Sequence, residues 1–292
     1  MVLPSTDAVR DRVSGVGRRR ALALTGVVAL VVVAVGVLGF YLYFGVLALH
    51  APADVQQSVR ADPNVTVERG YGGYVVRDAD PEVERLGVVF YPGGRVAPDA
   101  YLPSAARLAT RANVTVVVPK MRVNLAVFSQ GRADAVLTGE SAVERWVVGG
   151  HSLGGAMACR YAGANNGTVD GLLLVGAYCD RPVQGMPALS VVGTRDAVLN
   201  RERFAETESN LPDPHTVVRV EGMNHSQAGW YGGQRGDQPA TIATPEAHRR
   251  LAATVGDWLC RDLDHCANGT AAPGESVVES ATRSRSTGPR DR

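Results

Sequence analysis

The 292-residue sequence lacks several features that would point to a particular kind of partner or cofactor. Its formal net charge is only +1, so no charge excess favours nucleic acid or an acidic partner. It contains no Cys-x-x-Cys pair and no cysteine–histidine spacing typical of a zinc site. No internal repeat is evident. We therefore expect no nucleic-acid partner, no metal and no cofactor, and the oligomeric state stays open.

Cysteine is scarce, with four residues in the whole chain: Cys159, Cys179, Cys260 and Cys266. So few cysteines in a chain of this length do not form the disulfide framework of a small secreted domain. Cys260 and Cys266 could close a short loop in an oxidising compartment. For Cys159 and Cys179 we favour buried free thiols, which pack as small apolar side chains.

One long apolar run, residues 21–49, predicts a transmembrane anchor because it exceeds the roughly 20 residues that span a bilayer. Five arginines lie just before it: Arg10, Arg12, Arg18, Arg19 and Arg20. Basic flanks stay cytoplasmic, so residues 1–20 should be cytoplasmic and the catalytic domain outside a single-pass cell membrane. The rival interpretation is a cleaved signal peptide, but its apolar core is usually only about 7–15 residues long.

The remaining chain predicts one α/β domain over residues 65–262. Short apolar strands alternate with helices, such as a helix over residues 125–137, which indicates a mostly parallel central sheet flanked by helices. Residues 50–64 are polar and contain proline, and are typical of a linker. Residues 263–292 hold few large apolar side chains and predict a disordered polar tail. Three Asn-x-Ser/Thr sequons are expected to be exposed: Asn64, Asn166 and Asn268.

A Gly-x-Ser-x-Gly sequence, Gly150 to Gly154, follows the apolar run of a predicted strand and precedes a helical pattern. This is the strand–turn–helix arrangement that exposes a nucleophilic serine, here Ser152. Glycines flank it because a side chain at either position would collide with the neighbouring strand or helix. His151 is expected to point elsewhere on the turn.

A serine nucleophile needs a base and an acid, which should follow it in the order Ser–Asp–His. His225 lies on the loop after the last clear strand and is the best candidate for the base. Asp196 follows the strand over residues 188–192 and can orient that histidine. Asp180, after the preceding strand, is the alternative acid.

Two backbone N–H groups are needed to stabilise the oxyanion. One should belong to Leu153, the residue after the nucleophile. The other should come from the loop after the strand over residues 86–91, where Gly94 is the first choice and Arg95 the second. Glycine at this position lets a substrate approach the backbone closely.

These segments resemble the α/β-hydrolase superfamily, and more closely its small lidless branch, α/β hydrolase fold-5, akin to dienelactone hydrolases. The resembling stretches are Tyr91-Pro92-Gly93-Gly94-Arg95-Val96, Pro119-Lys120-Met121, Asn124-Leu125-Ala126, Gly150-His151-Ser152-Leu153-Gly154-Gly155, Val192-Gly193-Thr194-Arg195-Asp196, Asn224-His225 and Tyr231-Gly232. The resemblance implies a hydrolase whose triad is Ser152, Asp196 and His225. Dienelactone hydrolases use a cysteine nucleophile, so their substrate does not carry over.

The sequence thus predicts a membrane-anchored serine hydrolase that cleaves a carboxylic ester or related acyl bond through an acyl-enzyme. Only residues 176–187 separate two predicted strands where a lid domain would be inserted, so the site should be open. An acyltransferase, or a non-catalytic module that binds a ligand or partner on the same fold, is the alternative. The identity of the small acyl substrate is not readable, because one fold hosts many reactions.

Overall fold

The computed structural model describes residues 6–81, 86–266 and 282–284. The chain divides into two units, residues 1–47 and 48–292. The first unit is a long helix, α1 (Thr6–Tyr41), that continues into a π-helical turn, Leu42–Val46. Within it, the 23 residues Leu24–Val46 are long and apolar enough to cross a membrane. A membrane anchor and a signal sequence both have this character.

The second unit is built on a twisted β-sheet with nine strands in the described part of the chain. They are β1 (Val65–Gly70), β2 (Gly73–Asp78), β3 (Leu86–Tyr91), β4 (Thr115–Val118), β5 (Arg145–His151), β6 (Gly171–Val175), β7 (Ala188–Gly193), β8 (His215–Val220) and β9 (Thr282–Ser284). Their order in the sheet is β1-β2-β4-β3-β5-β6-β7-β8-β9. The strands from β4 to β8 in this order pair in parallel, and the pairings β1–β2, β2–β4 and β8–β9 are antiparallel.

Helices cover both faces of this sheet. They are α2 (Ala53–Arg60), α3 (Leu102–Ala112), α4 (Arg132–Gly139), α5 (Leu153–Ala164), α6 (Arg201–Glu206) and α7 (Thr244–Leu263). The apolar side chains of α3 and α7 belong to one core cluster, and those of α4, α5 and α6 belong to a second cluster on the opposite face. The predicted α/β fold with a mostly parallel sheet flanked by helices is confirmed.

Strand β3 illustrates why the sheet forms. All six of its residues are buried, as expected for a parallel strand covered by helices on both faces. Its side chains alternate between the two cores: Val88 and Phe90 pack with α3 and α7, whereas Val89 and Tyr91 pack on the α5 face. Because both faces are apolar, the strand appears in the sequence as a continuous apolar run.

The segment over residues 50–64 is more ordered than a linker. It contains α2, and the preceding Leu49 forms a short parallel bridge with the chain after β3. The Leu49 N–H donates to the Arg95 carbonyl at 2.7 Å, and the Ala97 N–H donates to the Leu49 carbonyl at 2.9 Å. Backbone pairing, which leaves no side-chain pattern in the sequence, thus ties the start of this unit to the β3 loop.

The helix predicted over residues 125–137 begins later than expected. One 3₁₀ turn, Arg122–Asn124, precedes the predicted helix, and a second, Ala126–Phe128, occupies its first part, so α4 starts only at Arg132. Gly131 stands at the N-cap position of α4. Glycine is tolerated at a cap and is unfavourable inside a helix, so the chain starts the helix after it.

The predicted polar tail is described only in part. Helix α7 ends at Leu263, and three residues of the region, Thr282–Ser284, pair with β8 as an antiparallel strand. Residues 267–281 and 285–292 lie outside the described residues.

The expectation of free thiols at Cys159 and Cys179 is wrong. The two residues form a disulfide bond, with Cα atoms 5.6 Å apart, between α5 and the loop after β6. Cys260 and Cys266 also form a disulfide, which closes a short loop at the end of α7. Burial and small size suit a thiol and a disulfide equally, so composition alone did not distinguish them.

Two of the sequons expected to be exposed, Asn64 and Asn166, lie at the surface, and Asn268 lies outside the described residues. The chain has two further Asn-x-Ser/Thr sequons, at Asn113 and Asn224, and both asparagines have structural roles. Asn113 adopts the left-handed conformation that ends α3, and Asn224 caps the turn that carries His225.

Stability should fall as the pH drops from about 6.5 to 4, because burial lowers the pKa of His248 to about 4. The Arg107 charge lowers the pKa further, and the hydrogen bond from Nε2 of His248 to the Gly229 carbonyl at 3.1 Å opposes it. As the pH falls, the unfolded chain binds a proton at this histidine before the folded chain does. The free energy of unfolding therefore decreases by roughly 3 kcal/mol by pH 4.

We expect His248→Gln, which keeps an N–H donor and does not titrate, to flatten the pH dependence of the free energy of unfolding in this range. The measurement is urea unfolding at several pH values. The substitution can also lower the stability equally at every pH, which does not bear on the test. If the unfolding free energy of the variant changes with pH as steeply as that of the parent protein, His248 is not responsible.

Candidate active site

The candidate nucleophile Ser152 lies on a sharp turn between β5 and α5. Its backbone is strained, with φ 52° and ψ −124°, outside the regions that residues with side chains favour. A Cβ on Gly150 would lie 2.7 Å from the Tyr91 carbonyl oxygen, and one on Gly154 would overlap the same oxygen. Glycine is therefore required at both positions. The Ser152 N–H donates to the Val175 carbonyl at 3.0 Å, which ties the turn to the end of β6.

The structure brings Asp196 and His225 into direct contact. Nδ1 of His225 lies 2.8 Å from Oδ2 of Asp196, and both residues are buried, at 3% and 2% exposure. An ionised carboxylate only accepts hydrogen bonds, so the shared proton is on Nδ1. Nε2 of His225 has no hydrogen-bond partner among the described residues. This nitrogen therefore keeps its lone pair available to take a proton.

The other carboxylate oxygen of Asp196 is held by backbone donors. Oδ1 accepts from the N–H groups of Val198 at 3.0 Å and Leu199 at 2.9 Å. A buried carboxylate costs free energy unless its oxygens are hydrogen-bonded. The loop after β7 thus supplies the donors that hold Asp196 in the orientation that His225 needs.

Gly176 connects the serine turn to the acid–base pair. It follows Val175 with φ +53°, and a Cβ there would lie 3.0 Å from Oδ2 of Asp196 and 3.1 Å from Nδ1 of His225. The Val175 carbonyl also accepts from the Ser152 N–H, so the serine turn and the Asp196–His225 pair both lie beside the end of β6. Ser152, Asp196 and His225 follow the carboxyl ends of β5, β7 and β8. Catalytic groups of open parallel sheets generally collect at this edge.

The acid loop (residues 194–200) and the histidine loop (residues 221–243) are bonded to each other. The Arg195 N–H donates to the Met223 carbonyl at 2.9 Å, and the Gly222 N–H donates to Oγ1 of Thr194 at 2.9 Å. The Arg201 guanidinium donates to three carbonyl oxygens at 3.1 Å, those of Gly193, Thr194 and Asp196. These bonds fix the distance between Asp196 and His225.

A capping box sets the conformation of the turn that carries His225. The Asn224 side chain accepts from the Gln227 N–H at 3.2 Å, and the Gln227 side chain accepts from the Asn224 N–H at 3.1 Å. Asp237 accepts from the Ser226 N–H at 3.0 Å. The spacing Asn-x-x-Gln in the sequence is the signal that could have indicated this cap in advance.

The two residues that carry the candidate oxyanion donors, Gly94 and Leu153, are close neighbours. A Cβ on Gly94 would be 3.3 Å from Cδ2 of Leu153. As the first residue of α5, Leu153 has an N–H without an intrahelical acceptor. The Arg95 N–H donates to the Asn124 carbonyl at 2.9 Å and is therefore not available, whereas the Gly94 N–H has no partner in the described chain. The geometry favours Gly94 over Arg95.

The alternative acid, Asp180, is not part of this cluster. Both of its carboxylate oxygens lie 3.1 Å from Nε of Arg160 on α5, and the hydrogen bond to Arg160 lowers the pKa of Asp180. His151, in contrast, lies closer than expected. Its buried ring is 4.3 Å from the ring of His225, centroid to centroid, so it does not point away from the site.

Comparison with known proteins agrees with this architecture. The model of the alpha/beta hydrolase family matches residues 87–249, more than half of the chain. The chain belongs to the alpha/beta hydrolase family. No curated protein sequence gives a significant match.

Two solved esterase structures are similar to this chain. A mutant of the esterase rPPE is 17% identical, with a TM-score of 0.50, over 70% of this chain and 85% of that one. The esterase domain of a Rhodothermus marinus protein is 15% identical, with a TM-score of 0.47, over 68% of this chain and 97% of that one. The likeness to the rPPE esterase shows a shared fold alone, and at 17% identity it leaves the substrate open.

In the described part of the chain, no lid domain lies between β6 and β7. The described stretch over residues 176–187, which leads directly into β7, contains neither helix nor strand. Ser152 and Leu153 are partly exposed although the residues around them are buried. The candidate site therefore opens to solvent on the side where a substrate must enter.

We expect Gly176→Ala to lower kcat at least tenfold, because a methyl group there displaces the Asp196–His225 pair as well as straining the backbone. Gly167→Ala is the matched control, since Gly167 also has a positive φ, +84°, but nothing within 4 Å of a Cβ. Ester hydrolysis and the melting temperature of both variants should be compared. Equal activity in the two variants would contradict a role for the close packing at Gly176.

Proposed function

We propose that this protein is a membrane-anchored serine hydrolase that cleaves a carboxylic ester or related acyl bond. The observation that carries the proposal is the buried hydrogen bond between Asp196 and His225 beside the strained Ser152 turn. A buried carboxylate–imidazole pair with a free Nε2 is the arrangement that activates a serine hydroxyl. The fold that it shares with esterases is consistent with this activity.

In the proposed reaction, Oγ of Ser152 attacks the acyl carbon while Nε2 of His225 takes its proton. Asp196 holds the imidazole in the required tautomer and stabilises its positive charge. The N–H groups of Leu153 and Gly94 bind the oxyanion of the tetrahedral intermediate. His225 then protonates the leaving alcohol, and water hydrolyses the acyl-enzyme by the same steps. The Ser152 hydroxyl donates its hydrogen bond to Nε2 of His225 when substrate binds, because catalytic hydrogen bonds often tighten only in the complex.

The surroundings of the proposed oxyanion donors favour an uncharged acyl group. The side chains of Leu125 and Leu153 would both lie within 3.6 Å of a Cβ on Gly94. An apolar wall gives no compensation for a buried carboxylate or ammonium group on the substrate. We therefore propose neutral acyl esters as the substrate class, with water as the acceptor of the acyl group.

Three features support an anchored enzyme with its catalytic domain outside the cell. Leu24–Val46 is a sufficiently long apolar helix, and a cluster of arginines precedes it. The described part of the catalytic unit contains two disulfide bonds, Cys159–Cys179 and Cys260–Cys266. Disulfides persist in oxidising compartments and are rare in the cytosol.

Ser152→Ala should abolish covalent labelling by a fluorophosphonate probe and lower kcat/KM for a neutral ester at least 10³-fold, because nothing else supplies the nucleophile. His225→Gln should have a similar effect. Ser190→Ala is the matched control, since that buried hydroxyl has no hydrogen-bond partner among the described residues. Labelling that persists in Ser152→Ala would contradict the nucleophile. Absence of labelling and turnover in the parent protein would favour a non-catalytic binding module.

The full-length protein should remain in the membrane fraction after a carbonate wash and should retain its first residues, because the apolar helix is not removed. Protease added to intact cells should digest the catalytic domain. N-terminal sequencing and immunoblotting of the fractions check both points. A soluble product that begins near residue 50 would instead identify a cleaved signal peptide. Protection from external protease would show that the catalytic domain lies on the cytoplasmic side of the membrane.

A further inference from the structure

We infer that Tyr101 and His151 act as a positioning pair, which holds the oxyanion loop (residues 92–95) and supports the ring of His225 from the side. The inference rests on the proposed hydrolase function, to which it adds two residues that do not contact the reacting atoms. Both side chains are fully or almost fully buried, at 0% and 1% exposure.

The Tyr101 hydroxyl connects the oxyanion loop to the nucleophile turn. Its oxygen lies 2.9 Å from the Gly93 nitrogen and 2.9 Å from Nδ1 of His151. Gly93 directly precedes the proposed oxyanion donor, Gly94, and His151 directly precedes Ser152. One hydroxyl group is thus hydrogen-bonded to the residue before the proposed nucleophile and to the residue before the proposed oxyanion donor.

The hydrogen bonds around Tyr101 determine where its proton lies. The oxygen accepts from the Gly93 N–H, and burial raises the pKa of Tyr101, so the phenol keeps its proton. That proton is donated to Nδ1 of His151, the other polar atom within reach. His151 therefore carries its own hydrogen on Nε2 and is neutral.

A neutral His151 matters because it packs against His225. The two rings are 4.3 Å apart, and burial together with the charge of His225 lowers the pKa of His151 well below the ordinary histidine value. When His225 takes the proton of Ser152, it gains a positive charge beside an uncharged ring. A charged neighbour at this distance would oppose that proton transfer.

The same contacts aim the Gly94 N–H. The Gly93 N–H is turned toward Tyr101, and the Gly93 carbonyl, which shares a peptide plane with the Gly94 N–H, accepts from the Val96 N–H at 3.1 Å. A Cβ on Gly93 would lie 2.9 Å from Nδ1 of His151, so only glycine fits between these groups. Both peptide groups before the proposed donor are therefore fixed.

Tyr101→Phe tests the pair with the smallest change, because only the hydroxyl oxygen is lost. We expect kcat for a neutral ester to fall about tenfold with KM changed less than twofold, since a misaligned donor weakens transition-state binding. Affinity for a trifluoromethyl ketone, which forms a tetrahedral adduct with the serine, should fall by the same factor. A role limited to folding would not produce this parallel loss.

Tyr161→Phe is the matched control, because it removes a buried tyrosine hydroxyl that donates to Asp134 at 2.6 Å, away from the site. His151→Gln should retain more activity than His151→Leu, since glutamine can still accept the Tyr101 proton. The inference would be wrong if Tyr101→Phe left kcat and ketone affinity unchanged, or lowered them only as much as Tyr161→Phe does. Either result would leave the proposed function standing. A parent protein that neither labels with fluorophosphonate nor turns over would instead overturn the proposed function.

Discussion

The buried hydrogen bond between Asp196 and His225 is the interaction on which the rest of the candidate site depends. A carboxylate with 2% exposure is unfavourable unless its oxygens are matched by donors, and a single missing donor would leave charge buried without compensation. Here two backbone N–H groups and one imidazole N–H supply that match. The two backbone donors belong to the acid loop itself, and the imidazole is held in place because the histidine loop is bonded to the acid loop at further points.

Close approach of backbones is the second constraint. The serine turn, the β3 loop and the end of β6 lie so near each other that a Cβ at Gly150, Gly154 or Gly176 would contact a backbone atom or the Asp196–His225 pair. The glycines therefore permit the strained backbone of Ser152 rather than merely accompanying it. Parallel strands bring these three glycine-containing segments to one edge of the sheet, beside the loops that carry Asp196 and His225.

Local sequence predicted the strands over residues 86–91 and 188–192 well, because a parallel strand buried on both faces is a continuous apolar run. The predicted acid and base followed from their positions after successive strands, and the structure places them in contact. Elements held by other forces were missed. The bridge at Leu49 is made by backbone atoms, and α4 starts late because Gly131 interrupts the predicted helix. The disulfide between Cys159 and Cys179 joins two elements whose proximity no local pattern encodes.

By itself, the sequence determined the identity of the chemical groups: a serine between glycines, an aspartate and a histidine in order, and one long apolar helix. These follow from residue type and spacing along the chain. Only the tertiary structure decided which groups meet. Asp180 pairs with Arg160 and not with His225, and the Arg95 N–H donates to the Asn124 carbonyl. His151 packs against His225 and is hydrogen-bonded to Tyr101. Such contacts join residues that are distant in sequence, and packing of the helices on the sheet, not local propensity, sets those distances.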